Sequence, residues 1–210
     1  MIRVLIVDDH EIVRRGLKEV LADAFPEVQA GEAGDSRGAL ELLMNKKWDL
    51  VLVDVNIPGR GGLEVLADVK RLRPSVPVLV LSAYPGEEFA VRSLKLGASG
   101  YLDKSLAANE IVAAAKKSLA GGKYVSASLA EKLAASLPDK VSQKPHECLS
   151  TRELLILRKV ASARTIKEIA AELSLSEKTI GTYRMRIATK LGLTSNVELT
   201  RYALKHRLVD

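Results

Sequence analysis

The stretch Trp48-Asp49-Leu50-Val51-Leu52-Val53-Asp54-Val55-Asn56-Ile57-Pro58-Gly59 constrains this chain most. The unbroken apolar run from Leu50 to Val53 reads as a strand covered on both faces, the signature of a parallel sheet wrapped by helices. A carboxylate at the end of such a strand, Asp54, is out of place in a core and points to chemistry. The arrangement recurs: Ile2 to Val7 runs into Asp8-Asp9, Val76 to Leu81 into Ser82, and Gly100-Tyr101-Leu102 into Asp103-Lys104. If these strands are parallel, their polar ends meet on the carboxyl edge of one sheet, where open α/β sheets bind ligands.

The spacing between strands is helical. Apolar periodicity predicts helices over about residues 10–24, 36–45, 63–72, 87–96 and 107–119, with stops at Pro26, Pro74, Gly97 and Gly121-Gly122. In the first of these, Ile12, Val13, Leu17, Val20 and Leu21 recur at helical spacing. With a weaker strand at 28–33, five βα units follow one another. They predict a doubly wound, five-stranded parallel sheet with right-handed crossovers, an α/β domain over residues 1–120.

Residues 121–148 read as a join. Ser128 with Glu131 is a capping-box pattern that predicts a short helix to about residue 137, and 138–145, bounded by Pro138 and Pro145, reads as a flexible tether. From residue 149 the pattern turns all-helical. Capping boxes at Ser150 with Glu153, Thr165 with Glu168 and Ser195 with Glu198 punctuate a four-helix domain over 149–210. Its third helix starts at Ser176 and runs to about Leu191. Only Ser174-Leu175-Ser176 separates the second helix from the third, the short turn that a helix-turn-helix needs.

Charge divides the same way. Residues 1–120 carry 16 Lys+Arg against 17 Asp+Glu, whereas 149–210 carry 12 against 6, so the last 62 residues hold the whole net charge of +6. A near-neutral domain followed by a basic one suggests that only the second meets a polyanion. The single cysteine, Cys148, excludes an internal disulfide, and with three scattered histidines it leaves no zinc cluster. No apolar run approaches the roughly 18 residues of a membrane span, and Met1-Ile2-Arg3 leads straight into a strand, so a cytoplasmic protein without membrane contact is expected.

Crowding Asp8, Asp9 and Asp54 would raise their pKa values unless a positive charge lies among them. A hard divalent cation supplies it, and oxygen ligands with partial hydration suit Mg²⁺. Lys104 adds a cation and Ser82 a hydroxyl. Together these are the parts that place and neutralise a transferring phosphoryl group, with Asp54 as the carboxylate that becomes an acyl phosphate.

The motifs Val7-Asp8-Asp9-His10, Val53-Asp54-Val55-Asn56-Ile57-Pro58-Gly59, Leu81-Ser82-Ala83 and Gly97-Ala98-Ser99-Gly100-Tyr101-Leu102-Asp103-Lys104 resemble the receiver domain of two-component response regulators. The resemblance implies a CheY-like sheet of order 2-1-3-4-5. It implies Asp54 as acceptor of phosphoryl from a histidine kinase, and Asp9 and the Asn56 carbonyl as direct Mg²⁺ ligands, with Asp8 acting through water. Ser82 and Lys104 would hold the phosphoryl oxygens, and Tyr101 would be an aromatic switch.

In the third helix of the basic domain, stepping 100° per residue from Ile180 puts Ile187 and Leu191 within about 20° of it. Lys178, Thr182, Met185 and Thr189 fall opposite, flanked by Thr179, Gly181, Arg186 and Lys190. This cationic, hydroxylated face free of acids suits a recognition helix in a major groove of double-stranded DNA. Lys178, Thr182, Met185 and Arg186 stand where base edges would be, and Lys190 and Lys167 where a backbone phosphate is expected. Leu149-Ser150-Thr151-Arg152-Glu153, Thr165-Ile166-Lys167-Glu168-Ile169-Ala170, Leu175-Ser176-Glu177-Lys178-Thr179-Ile180 and Lys190-Leu191-Gly192-Leu193 resemble the LuxR-type DNA-binding domain, with Ala163 and Gly181 departing from its commonest residues. Both halves together resemble the NarL/FixJ subgroup of response regulators. That implies a phosphorylation-activated transcriptional regulator, not an enzyme, working as a homodimer when phosphorylated.

Two rivals are weaker. An aspartate-nucleophile phosphatase of the haloacid-dehalogenase type needs a second acid two residues after the first, and that position is Asn56. An RNA-binding output domain would stack bases on aromatics, and after residue 148 only Tyr183 and Tyr202 are aromatic.

Overall fold

The computed structural model describes residues 1–83, 87–104, 108–126, 129–131, 145–173 and 175–209. The chain divides into two compact units, Met1–Asp139 and Lys140–Asp210.

In the first unit β1 (Ile2–Val7), α1 (Glu11–Ala24), β2 (Val28–Ala33), α2 (Ser36–Asn45), β3 (Leu50–Asp54) and α3 (Gly62–Leu72) alternate. They are followed by β4 (Val78–Ser82), α4 (Glu87–Lys95), β5 (Gly100–Asp103), α5 (Ala108–Leu119) and β6 (Tyr124–Val125). All neighbouring strands are parallel, in the order β2-β1-β3-β4-β5-β6. The continuous apolar runs are explained by burial: Val4 to Val7, Leu50 to Val53 and Val78 to Val80 are fully covered. The register sets Val53 beside Val7, Asp54 beside Leu81, and Ser82 beside Asp103, so the polar strand ends share one edge.

Two expectations need correction. The sheet has six strands, not five: Tyr124–Val125, read as part of the join, pairs with β5, and the Tyr124 N–H donates to the Ser99 carbonyl at 2.7 Å. Two residues are too few to carry a period, so only the free edge of β5 makes this strand. In α1, Leu17 and Leu21 are buried and Val13 packs on them, but Ile12 is 87% exposed. Ile12 lies about 140° around the helix from Leu17, off the buried stripe.

Among the described residues the second unit starts with the 3-10 turn Pro145–Cys148 and continues with α6 (Thr151–Ala161), α7 (Ile166–Glu172), α8 (Glu177–Leu191) and α9 (Asn196–Lys205). All three capping boxes expected after residue 148 form. Ser150, Thr165 and Ser195 accept from the amides of Glu153, Glu168 and Glu198, whose carboxylates accept in return. α6 is the central helix, with Leu154 to Leu157 buried, and Ile169, Ile180, Ile187, Leu199 and Ala203 from the other helices complete the core. The buried His146 ring ties the 3-10 turn to α9 through its Nδ1 and the Tyr202 hydroxyl, 2.9 Å apart. After α6 the chain turns through Ala163 at φ +59°, a left-handed conformation that a Cβ disfavours. Ala163→Gly is therefore expected to stabilise this unit by about 1 kcal/mol, read as a higher urea midpoint of its amide exchange.

Of the helix expected to about residue 137, only 129–131 are among the described residues, and of the tether only Pro145; Ser174 of the short turn also lies outside them. No helix among the described residues is long and apolar enough to cross a membrane.

Candidate functional site

β1 and β3 end side by side, and this delivers Asp8 and Asp54 to the same edge. Asp8 is held by its own N–H, which donates to the Ala33 carbonyl of β2 at 3.1 Å. Lys104 follows β5, with its N–H on the Ser82 carbonyl at 2.8 Å. Its Nζ then reaches across the edge to Asp8 Oδ2 at 2.6 Å and Asp54 Oδ2 at 2.9 Å. Both carboxylates are buried.

Electrostatically the cluster is short of positive charge. Burial pushes the Asp54 carboxyl above its ordinary pKa, with Asp8 adding to the effect and Lys104 opposing it. Burial pulls Lys104 down, but Asp54 and Asp8 more than offset it and hold the ammonium above its usual value. Asp8, Asp9, His10 and Asp54 can offer ligand atoms that all lie within 4.8 Å of one another. Asp8 Oδ2 and Asp9 Oδ1 are buried oxygens, the first against the Lys104 ammonium and the second 2.8 Å from His10 Nδ1. Such oxygens, three carboxylates against one lysine, fit a hard divalent cation.

Of the other residues named from the sequence, Ser82 ends β4, buried, beside the strand that carries Asp54. Asn56 is half-buried and its backbone N–H donates to the Asp54 carboxylate. Tyr101 lies within β5, buried between Val80 and Val125, three residues short of Lys104 and so not at the edge itself. Sequence reading missed two residues. His10 joins the acidic cluster through Asp8 and Asp9, and its adjacency to them in Asp8-Asp9-His10 was the available signal. Gly62 begins α3 against the end of β3, where a Cβ would stand 1.8 Å from the Asp54 carbonyl oxygen; no local signal marks it.

In the second unit α8 buries Ile180 and Ile187, with Leu191 half-buried, as its spacing requires. Lys178, Thr182, Met185, Arg186, Thr189 and Lys190 are exposed, Thr179 and Gly181 half-exposed, and Lys167 is exposed on α7. Ser176 caps α8 by accepting from the Thr179 N–H at 3.1 Å, and the two hydroxyls are 2.8 Å apart. With Thr179 in place of the glutamate found in the other three caps, the first turn of α8 has no box carboxylate.

Lys190 differs from the other cations. Its Nζ lies 2.6 Å from Glu153 Oε2, a buried carboxylate that also closes the α6 capping box, 37 residues away. Burial pushes Glu153 up, but Lys190 and the Ser150 amide hold it below the ordinary carboxylate value of 4.5. Lys190→Met keeps the aliphatic stem and removes the charge. It is expected to destabilise the unit by about 1–2 kcal/mol at pH 7, because the Ser150 N–H still serves the carboxylate. A depressed folded pKa contributes stability above the unfolded value and loses it as pH falls, so the difference between wild type and variant should shrink below about pH 4.5. Amide exchange of residues 150–191 in the full chain at pH 7 and pH 4 measures it.

Comparison with known proteins agrees with both halves. Residues 4–116 match the family model of the response regulator receiver domain, and 147–203 that of the bacterial regulatory proteins, luxR family. The chain is 38% identical over 211 residues to the response regulator GacA of Pseudomonas aeruginosa, covering 100% of this chain and 99% of that protein. It is 35% identical over 212 residues to the response regulator UvrY of Escherichia coli, covering 100% and 97%. Among solved structures, the RcsB response regulator of Salmonella typhimurium aligns with a TM-score of 0.59 at 26% identity over 97% of this chain and 98% of that one. A complex of RcsB with DNA aligns equally well, with a TM-score of 0.59 at 26% identity over 96% of each chain.

Proposed function

The chain belongs to the two-component response regulators that join a receiver domain to a LuxR-type DNA-binding domain, and from that premise we propose that Asp54 is its phosphoacceptor and α8 its recognition helix. It is a DNA-binding transcriptional regulator of a two-component system. The observation that carries the assignment of Asp54 is the Lys104 ammonium bridging two buried carboxylates, Asp8 and Asp54, beside Asp9.

Asp8, Asp9, Asp54 and the Asn56 carbonyl would hold Mg²⁺, which when bound would supply charge neutralisation for a phosphoryl group. The chain's own residues do the rest. Asp54 attacks phosphorus through a carboxylate oxygen while the donor's bond to phosphorus breaks, releasing the kinase imidazole, or acetate when acetyl phosphate is the donor; Lys104 offers its ammonium to the phosphoryl oxygens, and Ser82 offers a hydroxyl from the neighbouring strand. Tyr101, buried in β5, follows the movement of Ser82. The donor is a histidine kinase. Added charge at Asp54 reshapes the surface around α4, β5 and α5 and favours a DNA-binding homodimer. The protein works in the cytoplasm, where such donors and chromosomal DNA are found together. The test is mass spectrometry after incubation with acetyl phosphate, with Mg²⁺ or with chelator. One phosphoryl adduct that needs the cation supports the reading; an adduct of equal yield under chelation counts against the cluster.

On the DNA side, Lys178, Thr179, Gly181, Thr182, Met185, Arg186, Thr189 and Lys190 of α8 and Lys167 of α7 form the contact surface. RcsB, similar to this chain throughout, is known in complex with DNA. Among the described residues Lys167 has no ion-pair partner, whereas Lys190 is engaged by Glu153, so Lys167 is the cleaner probe of a phosphate contact. Lys167→Ala should weaken operator and random DNA alike and flatten the salt dependence of log K by about 0.9. Met185→Ala should instead lower the operator-to-random ratio and leave the slope unchanged. Titrations on both DNAs at several salt concentrations separate the two.

A further inference from the structure

The outward stripe of α8 carries fewer hydrogen-bond donors than its residue names suggest. Thr182 Oγ1 donates to the Lys178 carbonyl and Thr189 Oγ1 to the Met185 carbonyl, each at 3.0 Å. The Thr179 hydroxyl is paired with Ser176 in the cap. With the protons committed, Thr182 and Thr189 present a methyl group and an acceptor lone pair. Between them Met185, 68% exposed, presents a thioether and a methyl. Beside them Gly181 leaves open space, where a Cβ would meet nothing within 4 Å beyond the backbone of its own helix and its two chain neighbours. Donors remain at the edges of the stripe, on Lys178 at its start, on Arg186 on its flank and on Lys190 at its end, where Glu153 already engages the ammonium.

Resting on α8 as the recognition helix, we infer that the centre of its reading face selects A·T pairs through thymine methyl groups. In the major groove thymine offers its C5-methyl and adenine its N6 donor, whereas guanine offers two acceptors. A threonine whose proton is committed suits the A·T pattern: its oxygen accepts from adenine N6, as it would from cytosine N4, and its methyl packs on the thymine methyl, which no G·C pair offers, so the methyl carries the selection. It has nothing to give guanine, which calls for a donor pair of the arginine kind. Met185 extends the apolar strip to a second thymine. Lys178 and Arg186, at the edges, can serve guanine or phosphate, so G·C pairs belong at the margins of each half-site.

The experiment selects duplexes from a random library with the full chain, in Mg²⁺ and beryllofluoride as acyl-phosphate mimic. The selected site is then remade with deoxyuridine for thymine at one position at a time, and with 7-deazaguanine for guanine. Each central thymine methyl removed should weaken binding about fourfold, the worth of one buried methyl group. In Met185→Ala, an exposed change that spares the core, one of those positions should lose its sensitivity to deoxyuridine while the others keep theirs. Sites without central thymines, or sites indifferent to deoxyuridine but weakened by 7-deazaguanine at the centre, would overturn methyl readout and leave the DNA-binding reading intact. If no sequence were enriched over random DNA, specific DNA binding would itself fail, and the inference with it.

Discussion

Asp54→Asn is expected to abolish phosphorylation by acetyl phosphate, taking the adduct from stoichiometric to undetectable. The carboxylate oxygen is the nucleophile, and a carboxamide oxygen cannot form the acyl phosphate under the same conditions. Structurally the change is mild. Asp54 is buried beside Asp8 and its pKa is raised by that burial, so a neutral side chain of the same shape removes like-charge repulsion while leaving Lys104 its contact with Asp8. The variant should therefore fold with undiminished stability, which separates loss of chemistry from loss of structure. Intact-mass spectrometry reads the adduct, which should be acid-stable and base-labile. Undiminished yield in Asp54→Asn would mean that the acceptor lies elsewhere, and Asp8 and Asp9 would be next in line.

Gly62→Ala should give the largest stability loss of any single methyl added to the receiver edge. A Cβ at Gly62 would lie 1.8 Å from the Asp54 carbonyl oxygen, 2.7 Å from its carbon and 3.0 Å from Val55 Cα. All three are backbone atoms of the segment that positions the phosphoacceptor, so the clash is not relieved by turning a side chain. Either α3 shifts outward or the end of β3 bends, and the cost is about 3 kcal/mol. Phosphorylation should fall with it, because the Gly62 N–H also holds the Val55 carbonyl at 3.0 Å. Gly16→Ala in α1 is the matched control. Its Cβ would meet nothing within 4 Å, and alanine is the better helix residue, so that change should stabilise by about 0.5–1 kcal/mol. Urea unfolding followed by the fluorescence of Trp48, the only tryptophan and buried in this unit, reports both. Equal midpoints for the two variants would mean that the end of β3 yields easily and does not fix Asp54.

Much of both domains was legible along the chain, and the reason is that the signals are local. A strand buried on both faces must be apolar at every position, so Leu50 to Val53 and Val78 to Leu81 announce themselves. A capping box needs only an i, i+3 pair, and those of α6, α7 and α9 form as written. The carboxylates of the candidate site were legible because polar groups directly after such strands have one place to go in a parallel sheet, its carboxyl edge. The periodicity of α8 separated its buried from its exposed face in the same way. Where local reading failed, the signal was short or shared: Ile12 fits an apolar count without lying on the apolar stripe, and Tyr124–Val125 is too brief to show a period.

By itself, then, the sequence determined the order of elements, the break between a near-neutral α/β unit and a basic helical one, and the carboxylates and lysine of the candidate site, because periods, caps and strand ends are set by neighbours within a few residues. Tertiary structure alone decided that a sixth strand joins the free edge of β5 and that Lys190 spends its charge on Glu153. It also decided that Gly62 presses on Asp54 and that the threonines of α8 turn their protons inward. Each of these depends on which donor, acceptor or open edge is within reach once the chain has folded, and that distance is not encoded in any local spacing of residue types.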